Sequence, residues 1–64
     1  MNVPPRETEV IRWVSEGKTA DEIGTILGIS GYTVKTTIMR ARERLDAVNS
    51  AQLVAKALRG GIIQ

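Results

Sequence analysis

The chain has 64 residues, so it forms a single domain at most, spanning residues 1–64, with a small core. It has no cysteine and no histidine, which excludes disulfides, thiol nucleophiles, imidazole bases and metal sites built from nitrogen or sulfur ligands. The net charge is +2, no apolar run could cross a membrane and no secretory signal is present, so we expect a cytoplasmic protein without cofactor or metal.

The first helix is predicted to run from Pro5 to Glu16. Proline suits the first turn of a helix, and Val10, Ile11 and Val14 recur at helical spacing. Gly17 follows, and glycine is typical of the position just beyond a helix C-terminus.

A second, shorter helix is predicted from Ala20 to Leu27. Thr19 and Glu22 form a capping box, in which the hydroxyl accepts a backbone N–H and the carboxylate reaches back. Gly28 then allows the tight or left-handed backbone that a corner between two helices requires. Ser30 is a good N-cap for the element that follows.

The third helix is predicted from Gly31 to Leu45, with one apolar stripe made by Val34, Ile38, Ala41 and Leu45. A fourth helix is predicted from Ala51 to Arg59, with Ser50 as its N-cap, and the Ile62–Ile63 tail is expected to fold back onto the core. The predicted fold class is therefore all-α, a four-helix bundle that contains a helix-turn-helix.

Positive charge is concentrated in the third helix. Residues 32–45 carry four basic side chains against one acid, whereas residues 1–22 carry three basic side chains against five acids. A basic element of this kind faces the polyanion in nucleic-acid-binding proteins. The alternative interpretation is a basic helix face that simply contacts solvent.

A short helix, a corner with glycine and a longer basic helix make the helix-turn-helix pattern, although an ordinary helical corner without a DNA role has the same spacing. With the apolar stripe facing inward, Lys35, Thr36 and Met39 face outward, where they can contact base edges in the major groove. Arg40 and Arg44 lie on one flank, where phosphate contacts are expected.

The sequence also resembles the LuxR/GerE-type helix-turn-helix domain, above all the C-terminal domains of regulators that respond to acyl-homoserine lactones. The resemblance extends over nearly the whole chain and rests on these segments: Pro5-Arg6-Glu7, Gly17-Lys18-Thr19, Glu22-Ile23, Leu27-Gly28-Ile29-Ser30, Thr33-Val34-Lys35, Val54-Ala55 and Gly61-Ile62.

The resemblance implies a bacterial transcription regulator that binds double-stranded DNA as a homodimer, or as a heterodimer with a related regulator. It places base contacts at Lys35, Thr36 and Met39. With the arginines of the third helix included, the predicted contacts to the DNA backbone are Thr19, Thr33, Arg40, Arg42 and Arg44. The predicted dimer interface on the fourth helix consists of Leu53, Lys56, Ala57 and Arg59.

Some positions depart from the family pattern. Thr37 lies where many members have histidine, Ser50 where many have arginine, and Asp46 where glycine is frequent after Leu45. Gly31 weakens the start of the third helix by about 1 kcal/mol relative to alanine. We therefore expect weaker contact with phosphates than in a typical member.

Two other functions stay open. A domain like region four of sigma factors, with RNA polymerase as partner, would also account for Thr33-Val34-Lys35 and the arginines that follow. A small antagonist would heterodimerise with a full-length regulator through residues 51–59. An enzyme is disfavoured because the serines have no histidine to activate them. No ligand-binding domain fits this length, so we expect an isolated or free-standing DNA-binding unit.

Overall fold

The computed structural model describes residues 2–64, so the first residue of the predicted domain lies outside the described residues. It contains four helices: α1 (Pro5–Ser15), α2 (Ala20–Leu27), α3 (Gly31–Leu45) and α4 (Ser50–Arg59). Residues 2–64 include no strand, which confirms the predicted all-α class. Within the same range, no helix is both long and apolar enough to span a membrane.

The bounds of α2 and α3 agree with the sequence prediction, and the other two helices differ from it by one residue each. α1 ends at Ser15, and Glu16 is its C-cap. α4 begins at Ser50 because the N-cap is Asn49, whose side-chain oxygen accepts the backbone N–H of Gln52 at 2.8 Å. The prediction of Ser50 as the cap was therefore wrong.

Local side chains fix the start of α2 as the sequence predicts. Thr19 Oγ1 accepts the backbone N–H of Glu22 at 3.2 Å, and Glu22 Oε1 accepts the backbone N–H of Thr19 at 2.9 Å. This reciprocal pair satisfies two backbone donors that the first turn of a helix leaves free. The helix ends at Gly28, which has left-handed backbone angles with φ 72°.

Two apolar clusters make the core, and α3 packs against each of the other three helices. The smaller cluster joins α1, α2 and α3 through Val10, Ile23 and Val34. Half-buried Ile38 contacts both clusters. The larger cluster joins α1, α3, α4 and the C-terminal tail, and its buried members are Ile11, Ala41, Leu45, Ala47, Leu53, Ala57 and Ile63. Burial of Ile63 confirms that the tail folds back.

Candidate nucleic-acid interface

The corner between α2 and α3 consists of Gly28, Ile29 and Ser30. The backbone N–H of Ile29 donates to the carbonyl of Gly24 at 2.9 Å, and the half-buried Ile29 side chain packs against the smaller core cluster. Ser30 Oγ accepts the backbone N–H of Thr33 at 3.1 Å and caps α3. Apolar packing and hydrogen bonds together therefore set the angle between the two helices.

Gly24 lets α2 lie directly against this corner. It is buried inside the helix, and a Cβ atom there would lie 2.6 Å from the carbonyl oxygen of Ile29 and 3.2 Å from the backbone nitrogen of Gly31. Both neighbours are backbone atoms that already have a fixed place in the corner. The role of Gly24 was not predicted from the sequence, although glycine within a helix is itself a signal because it costs about 1 kcal/mol relative to alanine.

Gly31 is explained in a similar way. A Cβ atom at Gly31 would overlap the carboxylate of Asp21, which projects from the first turn of α2. A carboxylate beside the N-terminus of a helix is electrostatically favourable because the helix dipole is positive there. The glycine that weakens α3 in isolation thus makes room for a contact between the two helices of the motif.

One face of α3 is turned to solvent, and the three predicted base-reading residues lie on it. Lys35 and Met39 are exposed, Met39 by 53%, and Thr36 is half-exposed. Tyr32, 81% exposed, extends this face by one turn toward the N-terminus. The same four side chains line one shallow groove beside the start of α4.

Two cations on α3 are available to an external partner. Lys35 and Arg40 are exposed, and within residues 2–64 neither makes a hydrogen bond or an ion pair. Thr19 and Thr33, at the beginnings of α2 and α3, are also exposed. The Thr33 hydroxyl lies 2.9 Å from that of Ser30.

Arg42 and Arg44 have partners inside the domain, so the geometry does not support their prediction as contacts to the DNA backbone. Arg42 donates through Nε to the carbonyl of Ala47 at 3.4 Å and through Nη2 to the carbonyl of Val48. Arg44 donates to both carboxylate oxygens of Glu7. These hydrogen bonds to Glu7 raise the pKa of Arg44, so its charge is held and locally neutralised.

The predicted dimer residues do not share a surface. Leu53 and Ala57 are 0% exposed in the core of the domain, so their prediction as interface residues was wrong. Lys56 is half-buried, and its Nζ donates to the carbonyl of Asp46 at 2.7 Å, which ties α4 to the end of α3. Arg59 is exposed.

A second surface depression lies at the end of α1, around Trp13, Lys18 and Gln64. Its lining includes the cations Arg12 and Lys18 and also two acids, one in α1 and one at its C-cap, and no residue of α3 belongs to it. This mixture of charges does not match a phosphate backbone, so α3 is the better candidate surface.

A short helix, a glycine corner and a longer helix with free cations on its exposed face define a helix-turn-helix DNA-binding domain. Comparison with known families agrees with this class. The family of bacterial regulatory proteins called the luxR family, or GerE, matches residues 1–57. The chain belongs to this family of DNA-binding regulators of transcription, as its resemblance to LuxR-type domains predicts.

The chain is similar to several bacterial regulators of transcription. The chain is 48% identical over 60 residues to a quorum sensing-dependent transcriptional regulator of Rhodopseudomonas palustris, covering 94% of the chain and 25% of that protein. It is 49% identical over 59 residues to a transcriptional activator of Bradyrhizobium diazoefficiens, covering 92% of the chain and 24% of the relative. For a transcriptional activator of Pectobacterium carotovorum, the identity is 50% over 54 residues, covering 84% of the chain and 22% of that protein. The chain thus spans about a quarter of the length of these relatives.

Proposed function

We propose that the domain binds double-stranded DNA sequence-specifically, with α3 in the major groove. The observation that carries this proposal is the exposed face of α3, where Lys35 has no partner within residues 2–64 and lies beside Thr36 and Met39. A lysine ammonium can donate to the O6 and N7 acceptors of guanine, and apolar groups can pack against the thymine methyl.

Contacts to the phosphates come from the edges of the same surface. We assign them to Arg40, Thr19 and Thr33, which are exposed on or beside the helix-turn-helix. Arg42 and Arg44 are left out because their guanidinium groups already have partners. Such contacts set the register of the protein on the duplex but carry no sequence information directly.

Selection of bound duplexes from a random DNA library tests this function. We expect one enriched half-site, with a binding constant that falls as salt concentration rises. Lys35→Ala should cost about 1–3 kcal/mol on that site and relax its sequence preference. Arg6→Ala is the matched control, because Arg6 lies on α1 and pairs with Glu9 at 3.6 Å. Absence of enrichment, or an equal loss on every sequence for Lys35→Ala, would contradict base reading by α3.

Dimerisation is proposed through the outer face of α4. Leu53 and Ala57 point into the core, so the residues left for pairing are Ala51, Ala55 and Leu58, with Arg59 at the edge. Leu58 is 49% exposed, and the small side chains of Ala51 and Ala55 let a second helix approach closely. Two such domains would read a palindromic site with half-sites about one helical turn apart. The same face could accept a related regulator as a heterodimer.

The names of the relatives support a proposal for the biological setting. Several of them are named as quorum sensing-dependent regulators, and the chain matches only about a quarter of their length. We propose that this domain serves a quorum-sensing regulator in the bacterial cytoplasm, where the chromosome lies. Its chemistry is binding and not catalysis.

A further inference from the structure

The solvent-facing side of α3 carries an apolar strip. Tyr32, Thr36 and Met39 follow each other at spacings of four and three residues, which places them in one line along a helix. Tyr32 and Met39 are the large apolar side chains that α3 exposes among the described residues. In a domain with so small a core, the exposure of both at the centre of the candidate interface indicates a contact with a partner.

Thr36 adds a methyl group to this strip and no free donor. Its hydroxyl donates to the backbone carbonyl of Tyr32 at 3.1 Å, so the hydroxyl hydrogen is already used. What remains for a base edge is the methyl group and an acceptor oxygen. The donors left on this part of α3 are the phenol of Tyr32 and the ammonium of Lys35.

The chemistry of the strip indicates which base edges it fits. Guanine and adenine are read through hydrogen bonds, mostly from arginine, lysine, asparagine or glutamine. The apolar feature of the major groove is the C5-methyl group of thymine. A line made of an aromatic ring, a methyl group and a thioether complements that feature, whereas Lys35 at its edge complements guanine.

We propose that Tyr32, Thr36 and Met39 read thymine methyl groups, and that Tyr32 is a specificity-determining residue in addition to Lys35. This inference rests on the proposed binding of α3 in the major groove. The seven residue steps from Tyr32 to Met39 rise about 10.5 Å along the helix. Base pairs are about 3.4 Å apart, so a strip of this length lies against about three base steps.

Deletion of single methyl groups tests the proposal. After the half-site has been selected, each thymine is replaced in turn by deoxyuridine, which removes the C5-methyl group and leaves base pairing intact. We expect an affinity loss of about fourfold at each thymine that the strip contacts, the value for burial of one methyl-sized group. Thymines elsewhere in the site should tolerate the exchange.

Variants of the strip identify which side chain meets which methyl group. At the thymine that Tyr32 contacts, Tyr32→Ala should remove the sensitivity to deoxyuridine, because the two changes delete the same contact. Tyr32→Phe is the matched control, since it keeps the ring and should keep the sensitivity. Met39→Ala should likewise remove the sensitivity at a second thymine, about three base steps away. Thermal melts of the variants show that each one is folded.

Three negative results have different meanings. An enriched site whose affinity is unchanged by every deoxyuridine would overturn methyl reading and leave DNA binding by α3 intact. Sensitivity that survives Tyr32→Ala at every thymine of the site would overturn the proposed role of Tyr32. Failure to enrich any sequence would overturn the proposed function, and the methyl-reading inference with it.

Discussion

Arg44 holds Glu7 across 37 residues of the chain, with Nε 2.8 Å and Nη2 3.2 Å from the two carboxylate oxygens. The Glu7 side chain is 8% exposed and that of Arg44 is 39% exposed, so the pair lies partly out of water between the first turn of α1 and the last turn of α3. A bidentate pair of this kind fixes geometry as well as charge. It braces the far end of α3, and it withdraws one arginine from the surface that we propose faces DNA.

Arg44 and Arg40 should therefore respond differently to removal of their charge. Arg40→Gln should flatten the dependence of log K on log salt by about 0.9, the value for one lost phosphate contact. Arg44→Gln should leave that slope unchanged and lower the melting temperature, because the buried Glu7 carboxylate loses its partner. Salt titrations of DNA binding, with melts of both variants, measure the contrast. A flatter slope for Arg44→Gln would show that DNA competes with Glu7 for this guanidinium.

The capping box of α2 makes part of the stability dependent on pH. The backbone N–H of Thr19, which donates to the Glu22 carboxylate, holds the pKa of Glu22 below its usual 4.5. A carboxylate whose pKa is lowered in the folded state stabilises the fold at pH values above its pKa in the unfolded state. This contribution is lost as the pH falls through the pKa of the folded state.

The wild-type domain should thus exceed Glu22→Gln in melting temperature at neutral pH, and the difference should vanish as the pH is lowered from about 5 to 3. Melts of the two proteins across this range provide the measurement. The comparison between them isolates Glu22, since every other residue is the same in both. A difference that stays constant with pH would mean that the charge of Glu22 contributes nothing.

Most of the helix-turn-helix could be predicted because it depends on local signals in the sequence. Contacts between residues far apart in the chain could not be predicted. Thr19, Gly28 and Ser30 act on backbone groups within four residues, so their roles could be predicted from the sequence. The partner of Arg44 is set only when α1 packs against α3, and no spacing indicates it. Tyr32 is the residue of the strip that was not among the predicted base-reading residues. The helical spacing places it on the outer face of α3 but does not distinguish it from a residue that is merely exposed.

The error on α4 has a different cause. This helix has apolar residues on two sides, with Leu53 and Ala57 on one and Ala55 and Leu58 on the other. Periodicity alone does not say which side covers the domain's own core and which side remains for a second subunit. The choice depends on the position of α1 and α3, because Leu53 and Ala57 fill the cluster around Ile11.

Gly24→Ala should destabilise the domain, against the usual trend for a helix. Alanine is favoured over glycine in a helix by about 1 kcal/mol, but here the added Cβ would meet the backbone of Ile29 and Gly31. Overpacking of this kind costs about 1–3 kcal/mol. Denaturant unfolding tests this, with Thr25→Ala as the control on the exposed side of the same helix. A Gly24→Ala variant as stable as wild type would show that α2 can shift away from the corner.

Asp46→Gly should stabilise the domain. Asp46 ends α3 with φ 55° and is the one residue other than glycine with positive φ in the described chain. Left-handed backbone costs most L-residues about 1–2 kcal/mol, less for aspartate, and glycine avoids it at some entropic cost. We expect a net gain of about 0.5 kcal/mol by denaturant unfolding, and a clear loss for the β-branched variant Asp46→Val. Equal stabilities of all three would mean that the backbone relaxes at this position.

The two sides of α4 should separate folding from assembly. Leu58→Glu places a charge on the exposed side, so it should abolish dimerisation in analytical ultracentrifugation while the melting temperature stays close to wild type. Binding to a palindromic site should fall to the level of a single half-site. Leu53→Ala, on the buried side, should instead cost about 2–5 kcal/mol of unfolding free energy, because it opens a cavity in the core. The wild-type domain could instead be monomeric at every concentration and pair only with a related regulator. If Leu58→Glu prevents that pairing, the outer face of α4 serves heterodimers. Pairing that survives Leu58→Glu would place the interface on another surface.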